Sequence, residues 1–564
     1  LDYNSNRDIP KNKANLPTMT EPQRTAPQLI EDIKALITEI QQLYCHDEIP
    51  WIIGYSGGKD STATLQLVWL ALQQLPSDRR TKQIHVITTD TRVENPIVAA
   101  WVKRSIANMQ AAATEQDLPI SANLLVPDVK DTFWVNLIGK GYPAPRNGFR
   151  WCTERLKIKP SNQFVQNVVR AKGEVIIVLG TRKAESSRRS RSMSDHEMGS
   201  IGDRIGDSNL TSLLYSGSLP NSLIYSPIAD WSNSEVWLYL MQYPNPWGNS
   251  NQDLFTMYRG ATADNECPLV IDSNTPSCGD SRFGCWVCTL VNKDKSMEAM
   301  ILNDDEKEWM QPMLDLRNAL DSPDDWDKRD FRRMSGNVQL FTHNSDGKQE
   351  VKPIPGPYTK KWREHWLREL LKAQTEARKN APPEMQAIEL ITQAELSEIR
   401  RIWREDKHEF DDALPHIYLD VTGEKFQDIN NPNNQSLLGA DEWEILARLC
   451  GDNAMHLELT TKLLSVEKQH YGKMRRVGIY EALEKCFETS SRSPEEAIQN
   501  AHRFKDLKDA AQAGDADKVR QLALGHPTKP TEPEAADKAN SKSNPQANSW
   551  ASMKFGSPVA EVQS

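Results

Sequence analysis

A chain of 564 residues with 38% hydrophobic and 26% charged residues has the balance of a globular protein, with room for two or three domains at roughly 100–200 residues each. Its net charge of −10 excludes a polybasic nucleic-acid binder, so any polyanion must be met by local patches. No run approaches the ~20 apolar residues of a membrane span, and the polar opening LDYNSNRDIPKNKANLPTMT has no secretory h-region, so a cytoplasmic, membrane-free setting is expected.

Residues 28–44 (QLIEDIKALITEIQQLY) carry apolar positions at helical spacing and predict an amphipathic helix. The apolar run WIIGY (51–55) predicts a buried strand, and residues 60–75 return to a helical pattern. Between them stands Tyr55-Ser56-Gly57-Gly58-Lys59-Asp60-Ser61. Two glycines let backbone N–H groups approach a phosphate, the helix N-terminus adds positive dipole, and Lys59 adds a full charge. Ser56 and Ser61 supply hydroxyl donors. A Walker A loop needs four residues between Gly and Gly-Lys, whereas three separate Gly54 from Gly58 and Asp60 follows the lysine, so the loop is of another kind.

Further strands are predicted at IHVITTD (84–90), ISANLLVP (120–127), EVIIVLG (174–180) and SLIYSPI (222–228), with helical patterns between them. Such alternation implies a mostly parallel, doubly wound sheet covered on both faces. Thr89-Asp90-Thr91, with Glu94, ends the second strand, where such a sheet presents its ligand crevice. Cys152 lies in RWCTERLK, and the flanking Arg150, Arg155 and Lys157 would favour its thiolate. The stretch 186–222, rich in Ser, Gly, Asn and Arg, predicts a long mobile loop.

Eight cysteines in a cytosolic chain are expected as free thiols, and four of them, Cys267, Cys278, Cys285 and Cys288, fall within 22 residues as C-x10-C-x6-C-x2-C. Four thiolates suit zinc, but zinc sites usually show two tight pairs, and here one pair is tight. A [4Fe–4S] cluster accepts looser spacing and is the preferred occupant, with zinc the alternative. From about residue 296 helical patterns dominate, including 360–379, 392–410 and several helices over 441–488. After about 525 the chain is polar and Pro-rich, the composition of a disordered tail. The expected organisation is a flexible N-terminus (1–25), an α/β domain (26–240), a cysteine-rich segment (241–295), a helical domain (296–520) and a disordered tail (521–564).

SGGKDS resembles the PP-loop of ATP pyrophosphatases, a superfamily that includes sulfonucleotide (APS/PAPS) reductases. The resemblance implies a grip on the pyrophosphate of ATP with Mg²⁺, and AMP as the nucleotide product. It gives Ser56 to Ser61 the phosphates, with Lys59 and Asp60 catalytic, and Asp90, Thr91 and Glu94 the adenosine. Gly180-Thr181-Arg182 with Glu185, Ser186 and Arg189 is similar to a GxR-x-x-E-S-x-R segment whose arginines hold phosphates. Pro227-Ile228-Ala229-Asp230-Trp231 with Val236 and Trp237 is similar to a reductase pattern and reads mainly as packing.

Loop, Cys152 motif, CGDSRFGCWVCTLV and a helical extension in this order resemble the DndC family, ATP-dependent sulfurtransferases of bacterial DNA phosphorothioation, over roughly residues 28–500. That resemblance implies DNA as acceptor, a cysteine desulfurase as sulfur donor, other phosphorothioation subunits as partners, and Cys152 as a persulfide carrier. Two alternatives stand beside it. An assimilatory sulfonucleotide reductase would carry adjacent cysteines and a Glu-Cys-Gly tail, and neither is in this sequence. A nucleotide-gated DNA-binding scaffold without turnover would use the basic stretches 188–191, 328–333, 360–363 and 473–476.

Overall fold

In the computed structural model the described residues are 24–183, 213–215, 219–260, 284–345, 348–429, 439–451, 453–471, 475–490 and 492–524. The first helix, α1 (Ala26–His46), starts at Thr25 with Pro27 in its first turn and buries Leu29, Ile33, Ile37, Ile40 and Leu43, the stripe expected of one apolar face.

The predicted strands form at β1 (Trp51–Gly54), β2 (Ile84–Thr89), β3 (Ile120–Leu125), β4 (Val175–Val178) and β6 (Ser222–Tyr225). A further short strand, β5 (Leu213–Tyr215), falls inside the stretch expected to be loop and pairs antiparallel with β6. Too few residues and no clean alternation hid it. The sheet order is β3-β2-β1-β4-β6-β5, with every neighbouring pair but the last parallel.

Both faces of the sheet are covered, as a parallel sheet requires. Trp51, Ile53, Ile84, Val86, Ile176 and Val178 pack with α1, with α2 (Lys59–Gln73) and with α3 (Pro96–Glu115). Ile52, Ile87, Val175 and Ile177 point the other way, toward Val165 and Phe164 of the Lys159–Lys172 helix. After β1 the chain adds β2 and β3 on one side, then returns to place β4 on the other. The strand order therefore reverses between β1 and β4, and a crevice opens at their C-terminal ends.

A second core gathers Phe133, Trp134, Leu137, Ile138 and Trp151 with Trp286 and with helices between residues 295 and 422. Trp134 Nε1 donates to the Leu390 carbonyl at 2.8 Å, and Trp403 Nε1 to that of Ile138 at 3.0 Å. Residues 133–156 thus lie before β4 in sequence but pack with the later helices. Between these helices in sequence lies a two-stranded antiparallel hairpin, β7 (Leu340–Ser345) and β8 (Lys348–Pro353), in a region where helical patterns were expected to dominate. The chain divides into two compact units, residues 1–497 and 498–564; within the second, Arg503 Nε donates to the Leu522 carbonyl at 3.0 Å. No helix among the described residues is long and apolar enough to cross a membrane.

Candidate nucleotide and thiol site

The predicted phosphate loop sits at the β1/β4 switch. Gly57 has φ +77°, and a Cβ there would lie 2.5 Å from Val102 Cγ2, so both backbone and space demand glycine. Trp101 Nε1 fixes the loop from outside, donating to the Gly57 carbonyl at 3.2 Å. Inside it, the Ser56 and Ser61 hydroxyls meet at 2.9 Å, and the Ser56 N–H donates to Ser61 Oγ at 3.1 Å. α2 opens at Lys59, with its first N–H groups lacking intrahelical partners.

Lys59, Asp60 and Arg182 are 2%, 6% and 4% exposed and form one ion cluster. The Asp60 carboxylate lies 3.3 Å from Lys59 Nζ and 2.7 Å from Arg182 Nε. Arg182 Nη1 also donates to the Trp231 carbonyl at 3.3 Å. Among the described residues two cations here share one carboxylate, which leaves a positive excess where desolvation makes charge costly. An anion would offset it. At Gly180 a Cβ would stand 2.7 Å from the Asp60 carbonyl oxygen, so glycine lets the exit of β4 approach the start of α2. Glu185, Ser186 and Arg189 lie outside the described residues.

At the end of β2, the Asp90 N–H donates to the Leu125 carbonyl at 2.8 Å, and its carboxylate accepts from the Arg92 N–H at 2.9 Å. Arg92 has φ +65°. The next residues dock the cysteine segment. Trp286 N–H donates to the Val93 carbonyl at 2.9 Å, Asn95 N–H to that of Gly284 at 3.1 Å, and Glu94 forms a β-bridge with Cys285. Asp90, Arg92, Glu94, Lys103 and Trp286 face residues 384–392 across a cleft of about 280 Å³.

Of the four clustered cysteines, Cys267 and Cys278 lie outside the described residues. Cys285 and Cys288 form a tight turn, with the Cys288 N–H donating to the Cys285 carbonyl at 3.1 Å. Burial pushes the Cys285 thiol up to about 12, opposed by the charge of Lys157 and reinforced by that of Glu94. Arg317, which no local motif marks, is buried beneath the turn: Nε donates to the Cys288 carbonyl at 2.9 Å and Nη1 to that of Asn292 at 3.1 Å. Among the described residues no group of three or more His, Cys, Asp or Glu is arranged to hold a metal.

Cys152 lies in the turn Trp151–Thr153 and is half-buried against the core that also holds Cys285. Its flanking cations are partly engaged elsewhere. Arg155 Nη1 reaches Asp131 at 3.2 Å, its Nη2 donates to the Tyr142 hydroxyl at 3.0 Å, and Arg150 Nη2 donates to Asn147 at 3.3 Å. The basic stretches are similarly occupied. Arg329 and Arg332 pair with Asp325 and Asp330, Arg363 Nη1 reaches Glu409 at 3.2 Å, and Arg476 reaches Glu467 at 2.8 Å. Residues 188–191 lie outside the described set.

Residues 50–247 match the family described as the phosphoadenosine phosphosulfate reductase domain. Two proteins of Methanocaldococcus jannaschii, both described as uncharacterized, are similar in sequence. One is 26% identical over 208 residues, covering 37% of this chain and 35% of the relative. The other is 27% identical over 186 residues, covering 33% and 34%. The chain thus spans about a third of the length of these relatives. Candida glabrata FMN adenylyltransferase, solved with FAD and inorganic pyrophosphate, is a solved structure with 14% identity and a TM-score of 0.21, covering 39% of this chain and 61% of its own. At that score it bears on nothing further. The first part of the chain thus has an α/β fold with a mostly parallel sheet, and residues 50–247 of it are similar to that family.

Proposed function

We propose that this chain is an ATP pyrophosphatase and sulfurtransferase, cleaving ATP to AMP and pyrophosphate to activate a DNA backbone phosphate for replacement of a non-bridging oxygen by sulfur. The observation that carries the nucleotide chemistry is the buried Lys59–Asp60–Arg182 cluster at the N-terminus of α2, with its positive excess. Lys59 and the helix N–H groups hold the β- and γ-phosphates, and Asp60 keeps Arg182 turned toward them. Mg²⁺ bound with the triphosphate shares its charge. The acceptor oxygen attacks the α-phosphorus; the α–β bridge breaks and pyrophosphate leaves into the loop. The acceptor is then adenylated, which converts a poor leaving oxygen into AMP. A persulfide on Cys152, loaded by a cysteine desulfurase, attacks the activated phosphorus and expels AMP. A second thiol from a reductant cleaves the S–S bond, leaving sulfur on phosphorus.

Cys285 and Cys288, with Cys267 and Cys278, make a thiolate donor set suited to a [4Fe–4S] cluster or zinc. The C-x2-C turn and the Cys285 thiol fit such a group, because a bound cation stabilises a thiolate that burial otherwise disfavours. When bound, the group supplies that charge and ties the segment together.

The family match favours one second reading, reduction of a sulfonucleotide. The two separate in one experiment. The protein is given ATP, duplex DNA, cysteine and a desulfurase in one arm, and adenylyl sulfate with a dithiol reductant in the other. AMP, pyrophosphate and DNA-bound sulfur in the first arm support sulfurtransfer; sulfite in the second alone replaces it with reduction.

A further inference from the structure

Tyr258 was marked by no motif, yet it contacts the phosphate loop twice. It lies in the last turn of the Asn251–Gly260 helix and is 9% exposed, buried against α2 and Trp237. The Lys59 N–H donates to its hydroxyl at 3.2 Å. The Lys59 ammonium lies over its ring, 5.3 Å from the centroid. The first contact engages a donor at the start of α2, one of those a phosphate would use. The second draws the lysine charge toward the ring face.

We infer that Tyr258 is a positioning residue that competes with phosphate for the loop: its hydroxyl and a phosphate oxygen seek the same Lys59 N–H, and phosphate binding displaces the hydroxyl. This rests on the phosphate-loop reading above. The ring keeps Lys59 poised, while the hydroxyl lowers affinity for the pyrophosphate group and so favours release of that product. One N–H serves both acceptors poorly at once, because its hydrogen bond weakens steeply away from linearity.

The test is calorimetric titration of the full chain with pyrophosphate, ATP and AMP, in wild type, Tyr258→Phe and Lys59→Ala. Tyr258→Phe keeps the ring and removes the competing acceptor, so pyrophosphate and ATP should bind about two- to tenfold more tightly, the worth of one net hydrogen bond. AMP, which lacks the β- and γ-phosphates, should be unchanged. A merely structural role would weaken binding, so the sign is diagnostic. If Lys59→Ala weakens pyrophosphate binding but Tyr258→Phe leaves it equal or weaker, the competition is wrong and the loop reading stands. Equal tightening of AMP also overturns it. If Lys59→Ala binds pyrophosphate as well as wild type does, the loop reading itself falls.

Discussion

The Thr91 hydroxyl stands 3.5 Å from the Cys285 sulfur, and around this contact the end of β2 and the thiol turn are laced together by the Val93–Trp286 and Asn95–Gly284 hydrogen bonds. Residues read from sequence as facing adenosine therefore also carry the cysteine segment. The segments proposed for nucleotide and for thiol chemistry share one wall, although 194 residues separate Thr91 from Cys285.

Lys59→Ala should abolish conversion of ATP to AMP and pyrophosphate while leaving the far-ultraviolet circular dichroism unchanged. A charge-assisted contact is worth about 1.5–3 kcal/mol, a rate loss of roughly ten- to 150-fold even before transition-state effects. Chromatography of the nucleotide products checks this. ADP as the main product would remove the chain from this chemistry.

Protein purified without oxygen should be brown and carry about four iron and four sulfide per chain, as four thiolates imply. Replacing Cys285 or Cys288 by Ser should bleach it. Stoichiometric zinc under iron-replete, oxygen-free conditions would identify the alternative occupant.

Cys152→Ser should keep metal content and ATP binding but lose sulfur transfer, read as persulfide labelling of the protein and sulfur incorporated into DNA. Transfer that survives moves delivery to a partner. Loss of colour instead makes Cys152 a ligand.

Asp131 pairs with Arg155 and Lys159, which follow Cys152 in sequence, and gives a pH signature. Burial would raise its carboxyl, but the Lys159 hydrogen bond and the charges of Lys159, Arg155 and Lys140 outweigh this and hold it below the usual range. Its folded value is below its unfolded one, so its contribution to stability is complete above the unfolded value, about 3.9, and fades as pH falls through the folded value. Asp131→Asn should be less stable than wild type at neutral pH, and urea midpoints should converge on acidification. A gap that widens toward low pH would contradict this.

Much of the nucleotide domain was legible because its signals are local. The buried strands are short apolar runs, with side chains going alternately to the two faces of the sheet, and Gly57 carries a backbone angle that other residues resist. Residues adjacent in sequence make the loop, so its place between strand and helix could be read from the sequence, while its kind rests on resemblance. β5 and the β7–β8 hairpin escaped because short pairings depend on a partner strand more than on their own pattern.

What the amino-acid order determined by itself was the SGGKDS loop between strand and helix, the succession of buried strands, and the thiol spacing. The tertiary structure decided who meets whom. Arg182 joins Asp60 across 122 residues and Tyr258 joins Lys59 across 199, while Arg317 closes on the carbonyl of Cys288 and Asp131 engages Arg155. Tyr258, Arg317 and Asp131 each lie in an ordinary helix or turn pattern that marks nothing. The reason is physical: a buried charge or donor must find a partner wherever packing brings one, and packing is chosen by the whole core rather than by neighbours along the chain.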